Sequence, residues 1–243
     1  MKLAMVIDSS RCIDCKACVI SCSTANEVPP GRHRNWIKIQ LPEYSAPRPG
    51  GHFQPGACMH CQNPTCVAAC PSGATWRRSE TGEVLIDEGL CIGCGSCVPA
   101  CPYDARYIHE KRRVADKCDY CASRRAQGLE PACVGTCLTK ARAFGDLDDP
   151  GSEATKRLAK AKFVQLEYPG VATRPAMFYV KETAPDSWMR KPEAPASLRF
   201  LSNFAAPAVK ALVGLVGFGL LAALTRRVLL KDADAQQQGG GHE

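Results

Sequence analysis

Two stretches, Cys12-Ile13-Asp14-Cys15-Lys16-Ala17-Cys18-Val19-Ile20-Ser21-Cys22 and Cys91-Ile92-Gly93-Cys94-Gly95-Ser96-Cys97-Val98-Pro99-Ala100-Cys101-Pro102, decide the fold. Each is a Cys-x2-Cys-x2-Cys-x3-Cys run. Two further quartets are variants: Cys58, Cys61, Cys66 and Cys70 widen one gap, while Cys118, Cys121, Cys133 and Cys137 put eleven residues between their pairs. All four keep an opening Cys-x2-Cys and a closing Cys-x3-Cys. Together they use all 16 cysteines of a 243-residue chain that is 45% hydrophobic and 23% charged. Such a chain can bury one or two proper cores and is not disordered by composition. Its cysteine content is far above ordinary usage, yet below that of a small secreted disulfide scaffold.

Three thiolates two residues apart on a tight loop can wrap three corners of an iron-sulfur cube, with peptide N–H groups turned toward the sulfides. The fourth corner must come from elsewhere, and in two-cluster ferredoxins the last cysteine of one run ligates the cluster of the other. Four quartets therefore predict two paired modules. Structural zinc sites join two Cys-x2-Cys pairs across a longer loop and need no third cysteine two residues on, so zinc is an alternative only for Cys118 to Cys137. Disulfides fit poorly, because cysteines three apart on a tight loop are badly placed to bridge and oxidised sulfurs cannot ligate iron.

The sequence between the quartets predicts an α+β fold of two interleaved bacterial-ferredoxin-like modules with loop insertions. Lys2 to Asp8 reads as a strand feeding the first cysteine loop, and Val84 to Asp87 as its counterpart before Cys91. Val19 to Ala25 and Val67 to Ala69 read as short helices behind the loops. Ala105 to His109 and Arg142 to Phe144 read as return strands. The Pro- and Gly-rich stretch from Val28 to Gly56, with strand-like Trp36 to Leu41, is the largest insertion, either a surface excursion or a docking element.

Four quartets in this order, with Pro71 and Pro102 after the second and third, resemble the iron-sulfur subunit of molybdopterin oxidoreductases. Ala115-Asp116-Lys117-Cys118-Asp119-Tyr120-Cys121, Pro131-Ala132-Cys133 and Ala143-Phe144-Gly145-Asp146-Leu147 are similar to that family too. The resemblance covers about residues 2 to 180 and implies four [4Fe-4S] clusters, with the first quartet paired to the fourth and the second to the third. It implies Cys12, Cys15, Cys18 and Cys137 on one cluster and Cys22, Cys118, Cys121 and Cys133 on its neighbour. In the other pair, Cys58, Cys61, Cys66 and Cys101 would hold one cluster and Cys70, Cys91, Cys94 and Cys97 the last. It further implies a non-catalytic relay between a molybdopterin-type catalytic subunit and an integral membrane quinone-reactive subunit of a respiratory complex.

Basic residues collect beside the loops, at Arg32-His33-Arg34, Arg77-Arg78, Lys111-Arg112-Arg113 and Arg124-Arg125. Near an anionic cubane such cations raise its potential; otherwise they form a solvated face. The net charge of +7 comes with no groove-reading motif, so no nucleic-acid partner is expected. His60 completes no quartet and is expected to support the loop or lie at the surface. No dinucleotide loop, paired nucleophile and base, or open metal site marks an enzyme.

Residues 1–181 are thus expected to form the four-cluster domain and 182–200, rich in Pro and charge, a linker. Residues 201–226 form an expected transmembrane helix and 227–243 a polar tail. The apolar run Phe204 to Leu224 contains Lys210 as its only charge and is long enough for a bilayer core of roughly 30 Å. Small residues such as Gly214 and Gly217 suit a neighbouring helix. Arg226, Arg227 and Lys231 after the span suggest a cytoplasmic tail, hence a membrane-anchored domain on the periplasmic side, the cytoplasm being the alternative. Met1 to Asp8 shows no export signal, so export would depend on a partner that carries one. Two other readings are a membrane-anchored polyferredoxin serving mobile carriers, and the relay of a hydrogenase or multihaem cytochrome complex.

Overall fold

The computed structural model describes residues 1–40, 52–168 and 170–180. Its strands are β1 (Leu3–Asp8), β2 (Asn35–Gln40), β3 (His52–Ala57), β4 (Thr75–Arg77), β5 (Val84–Ile86), β6 (Tyr107–Ile108), β7 (Ala115–Asp116), β8 (Arg142–Asp146), β9 (Phe163–Val164) and β10 (Met177–Val180). The helices are α1 (Ala17–Ala25), α2 (Thr65–Ala68), α3 (Cys97–Ala100), α4 (Ala122–Arg125), α5 (Ala132–Gly135) and α6 (Glu153–Lys160).

β1 is buried along its whole length, as a continuous apolar run with both faces covered should be. Side chains alternate across a strand, and the two faces of β1 serve different cores. Leu3, Met5 and Ile7 join Met177, Tyr179 and Tyr120, while Val6 packs with Ala143, Ala154 and Val180. The strand sits inside a four-stranded sheet of order β8-β1-β10-β9, antiparallel to β8 and parallel to β10. α6 covers the second face. Its N-cap, Ser152, accepts a hydrogen bond from the Thr155 N–H at 3.2 Å, and Ala154 is fully buried against the sheet.

The remaining strands form three antiparallel pairs, β2 with β3, β4 with β5 and β6 with β7. The expected strand in the insertion is present as β2, and β3 lays Gly56 opposite Trp36. A Cβ on Gly56 would fall 2.4 Å from the Trp36 indole nitrogen, so only glycine lets the ring lie across the hairpin. Helices pair as well: α1 packs on α5, and α2 on α3. Among the described residues no helix is long and apolar enough to cross a membrane. The expected span Phe204 to Leu224, with its linker and tail, lies outside the described residues.

Candidate metal centre

The helix pairs bring the quartets together. α1 carries Cys18 and Cys22 and meets α5, which carries Cys133; α2 carries Cys66 and meets α3, which begins at Cys97. The first quartet thus faces the fourth, and the second faces the third. Cys12, Cys15, Cys18 and Cys137 line one small cavity with Ile13, Ile37, Pro55 and Arg142.

Elsewhere, neighbouring thiols reveal themselves through their mutual electrostatics. Burial, then the facing thiolates of Cys133 and Cys121, pushes Cys22 up to about 12. Burial, followed by Cys133 and Cys22, holds the Cys118 thiol well above its ordinary range. Cys61 is raised by burial and then by Cys58, Cys101 and Cys66. Cys70 feels burial but is held down to about 7 by hydrogen bonds, chiefly from the Thr75 N–H, and it lies near Cys94. Thiols held above the ordinary range by burial carry protons until a cation displaces them, so loading such a site releases protons.

The backbone supports the same chemistry. Asp14, His60, Gly93 and Tyr120 each precede the second cysteine of an opening Cys-x2-Cys, and each adopts a positive φ, between 43° and 67°. Four loops therefore share one left-handed turn. At Gly93 a Cβ would stand 2.1 Å from the Arg113 carbonyl oxygen, so that loop requires glycine. Peptide N–H groups donate to sulfur from Thr75 to Cys70 at 3.4 Å, from Ala115 to Cys91 at 3.3 Å and from Ala141 to Cys137 at 3.2 Å. The Asn26 amide points at both Cys22 and Cys121, 3.6 Å from each sulfur.

All sixteen cysteines are free. Among the described residues no three His, Cys, Asp or Glu side chains converge on a point that would hold a metal ion. A cubane distributes its thiolates around four irons, so its ligands stand wider apart than those of a mononuclear zinc site. Turned loops, sulfur acceptors and thiols gathered from paired quartets fit the cluster.

Half of the ten residues in the expected basic clusters, Arg32, Arg34, Arg78, Arg112 and Arg125, pair with carboxylates. Arg34 is buried and pairs with Asp116 at 2.7 Å and Asp119 at 3.3 Å. Arg125 and Arg78 both reach the fully buried Glu83, and Arg112 pairs with Glu88 and Asp116. Arg34 also lies near Cys22 and Cys118, and two further buried arginines stand beside sulfur, Arg106 and Arg142, which the charge clusters of the sequence do not reveal. A signal is available, since each follows a closing cysteine by five residues.

His60 is wholly buried and is not at the surface. Its ring stacks on Tyr120 with centroids 3.7 Å apart and planes 21° from parallel. Its Nδ1 accepts the Val84 N–H at 3.1 Å, which leaves the proton of the neutral ring on Nε2. The stack joins the loop of the second quartet to that of the fourth. It therefore bridges the two modules.

A fold of two nested cysteine-loop pairs, each presenting eight thiols, defines a ferredoxin-type electron carrier. Residues 11–74 and 50–147 match 4Fe-4S dicluster domains, and two such domains imply four [4Fe-4S] clusters. The protein is 40% identical over 185 residues to a subunit of the tetrathionate reductase of Salmonella typhimurium, covering 74% of this chain and 72% of that one. It is 46% identical over 148 residues to the thiosulfate reductase electron transfer subunit PhsB of Salmonella typhi, covering 60% and 76%. A chain of the polysulfide reductase of Wolinella succinogenes is 37% identical over 184 residues, covering 74% and 94%. This protein belongs to the iron-sulfur subunits of the molybdopterin oxidoreductase family, which transfer electrons and do not catalyse.

Proposed function

We propose that this chain is the electron wire of a respiratory reductase complex, linking a molybdopterin catalytic subunit to a quinone-reactive membrane subunit. Its ligand sets are Cys12, Cys15, Cys18 and Cys137; Cys22, Cys118, Cys121 and Cys133; Cys58, Cys61, Cys66 and Cys101; and Cys70, Cys91, Cys94 and Cys97. The observation that carries the sets is the packing of α1 on α5 and α2 on α3, which juxtaposes the quartets in those pairs. When bound, each cluster accepts and passes on single electrons. The protein supplies the rest: turned loops that direct N–H groups at sulfur, buried surroundings that exclude water, and a stacked His60–Tyr120 contact between modules.

The redox substrate is chosen by the catalytic partner, since a wire carries only electrons. Tetrathionate, thiosulfate and polysulfide in the relatives' names make a sulfur oxyanion or polysulfide the favoured class. The Phe204 to Leu224 run is read as an anchor in the bilayer, with the cluster domain on the periplasmic side. Purification in mild detergent tests the assembly. A large molybdenum-containing subunit is expected to remain bound, and a chain that elutes alone with all its iron would instead indicate a free polyferredoxin. A reporter fused after Glu243 tests the orientation: a cytoplasmic-type reporter is expected to be active, and activity of only a periplasmic-type one overturns it.

A further inference from the structure

We propose that Arg106 and Arg142 are the charge-compensating residues of the wire, each standing between the two clusters of one module and raising the potentials of both. This rests on the ligand sets proposed above. The two arginines hold the same place in their repeats. Each is the fifth residue after a closing cysteine, Cys101 or Cys137, and each follows an alanine. The corresponding residues after Cys22 and Cys70 are Glu27 and Thr75, so there is one arginine per module.

Both side chains are out of water, with Arg106 4% and Arg142 1% exposed. Each has one ordinary acceptor: Arg106 Nη1 donates to Thr75 Oγ1 at 3.1 Å, and Arg142 Nη2 donates to the Gly56 carbonyl at 3.4 Å. Nε and Nη2 of Arg106, and Nε and Nη1 of Arg142, meet no oxygen or nitrogen acceptor although they are buried. No carboxylate pairs with either guanidinium among the described residues. A guanidinium cannot shed its proton, and a buried charge persists only beside an opposite one.

Sulfur fills that role. Arg142 lines the cavity of Cys12, Cys15, Cys18 and Cys137. It also stands near Cys133, a ligand of the neighbouring set, and near Cys18. Arg106 stands near Cys66 and Cys58 of one set and Cys97 of the other. Each rigid fork of donors is therefore shared between two anionic centres. Reduction adds one negative charge to a cluster, so a fixed cation beside it favours the reduced form and raises the potential.

The test uses the full chain, purified with its clusters, and reads iron content and redox titrations followed by electron paramagnetic resonance. Wild-type protein carrying clearly less than about 16 iron atoms would defeat the four-cubane reading before the arginines are considered. Given full iron, Arg142→Gln is expected to lower the potentials of two of the four clusters. The reduced-to-oxidised ratio at a fixed potential should fall about tenfold, or 59 mV for one electron. Arg106→Gln should move the other two. No shift, a shift of one cluster alone, or movement of the same two clusters by both variants overturns the proposal. If a glutamine variant fails to retain iron, the matching Arg→Lys variant decides. Full iron with potentials close to wild type supports charge compensation, and loss of iron with lysine as well refutes it.

Discussion

Replacing His60 by alanine should loosen the joint between the two modules. The Val84 N–H, which gives its hydrogen bond to Nδ1 at 3.1 Å, would be left buried without a partner, at about 1–3 kcal/mol. Loss of the 3.7 Å stack on Tyr120 costs a further increment of about 0.5–1.5 kcal/mol. The sum is about 1.5–4.5 kcal/mol, before any allowance for the cavity left by a ring with no solvent exposure. Cluster loss makes unfolding irreversible, so the appropriate quantity is a rate. The assay is bleaching of cluster absorbance in the holoprotein at a fixed urea concentration. If the stack forms late in folding, the loss falls on the unfolding limb and bleaching accelerates about 10-fold to 2,000-fold. His60→Asn should recover part of this, because asparagine tolerates the left-handed backbone at position 60 and offers an amide oxygen to Val84. Acceleration of less than about threefold by alanine would refute the idea that this contact holds the modules together.

Burial, then Lys117, Arg125 and Arg106, holds the His60 imidazole well below its usual range. Because the folded value is depressed, the unfolded state binds the extra proton first. The neutral ring's contribution is therefore complete above about pH 6.5 and is lost as pH falls toward the folded value, at up to about 1.4 kcal/mol per pH unit. The bleaching advantage of wild type over His60→Asn should shrink in that window, and parallel pH profiles are the contrary outcome. Gly93→Ala drives a Cβ into the Arg113 carbonyl oxygen, so iron content should fall from about 16 to about 12 per chain; undiminished iron would show that the loop tolerates the side chain. Asn26→Ala removes an amide shared by Cys22 and Cys121 and should lower the potential of one cluster only, by about fivefold in its reduced-to-oxidised ratio for roughly 1 kcal/mol. Titration of all four centres checks it, and a shift in a second cluster would speak against the proposed ligand sets.

The parts of the fold legible in the sequence are those tied to cluster chemistry or to an uninterrupted apolar run. Cysteine spacing announces four loops because a loop must turn within two residues to bring successive thiolates onto one body. β1, β2 and β5 are legible from their apolar residues. α6 is harder to read: it is eight residues long, and although Ala154 and Leu158 lie four apart on one face, so short a charged segment is easily taken for a loop. β10 escapes because Met177 to Val180 is a four-residue run whose role comes from lying parallel to β1, a pairing no local pattern announces. His60 shows no partner in the sequence because its stack on Tyr120 joins residues sixty apart. The buried arginines are hidden for a different reason: isolated in sequence, they are outnumbered by conspicuous basic pairs such as Arg77-Arg78. Position relative to a closing cysteine carries the information that local charge density does not.

The outer module is built from both ends of the described chain. β1 lies between β8 and β10, and α1 waits for α5. Synthesis therefore imposes a timetable. At about 5–20 residues per second, roughly 5–20 s separate the emergence of Cys22 from that of Cys133. Within that interval Cys58 to Cys101 are all delivered, so on the proposed ligand sets the inner pair of clusters can be filled first. Cys12, Cys15, Cys18 and Cys22 meanwhile wait as unclaimed thiols beside a strand with no neighbour. The earliest-made cysteines are the last to be sealed, which makes them the ones most dependent on a reducing cell and a prompt supply of iron.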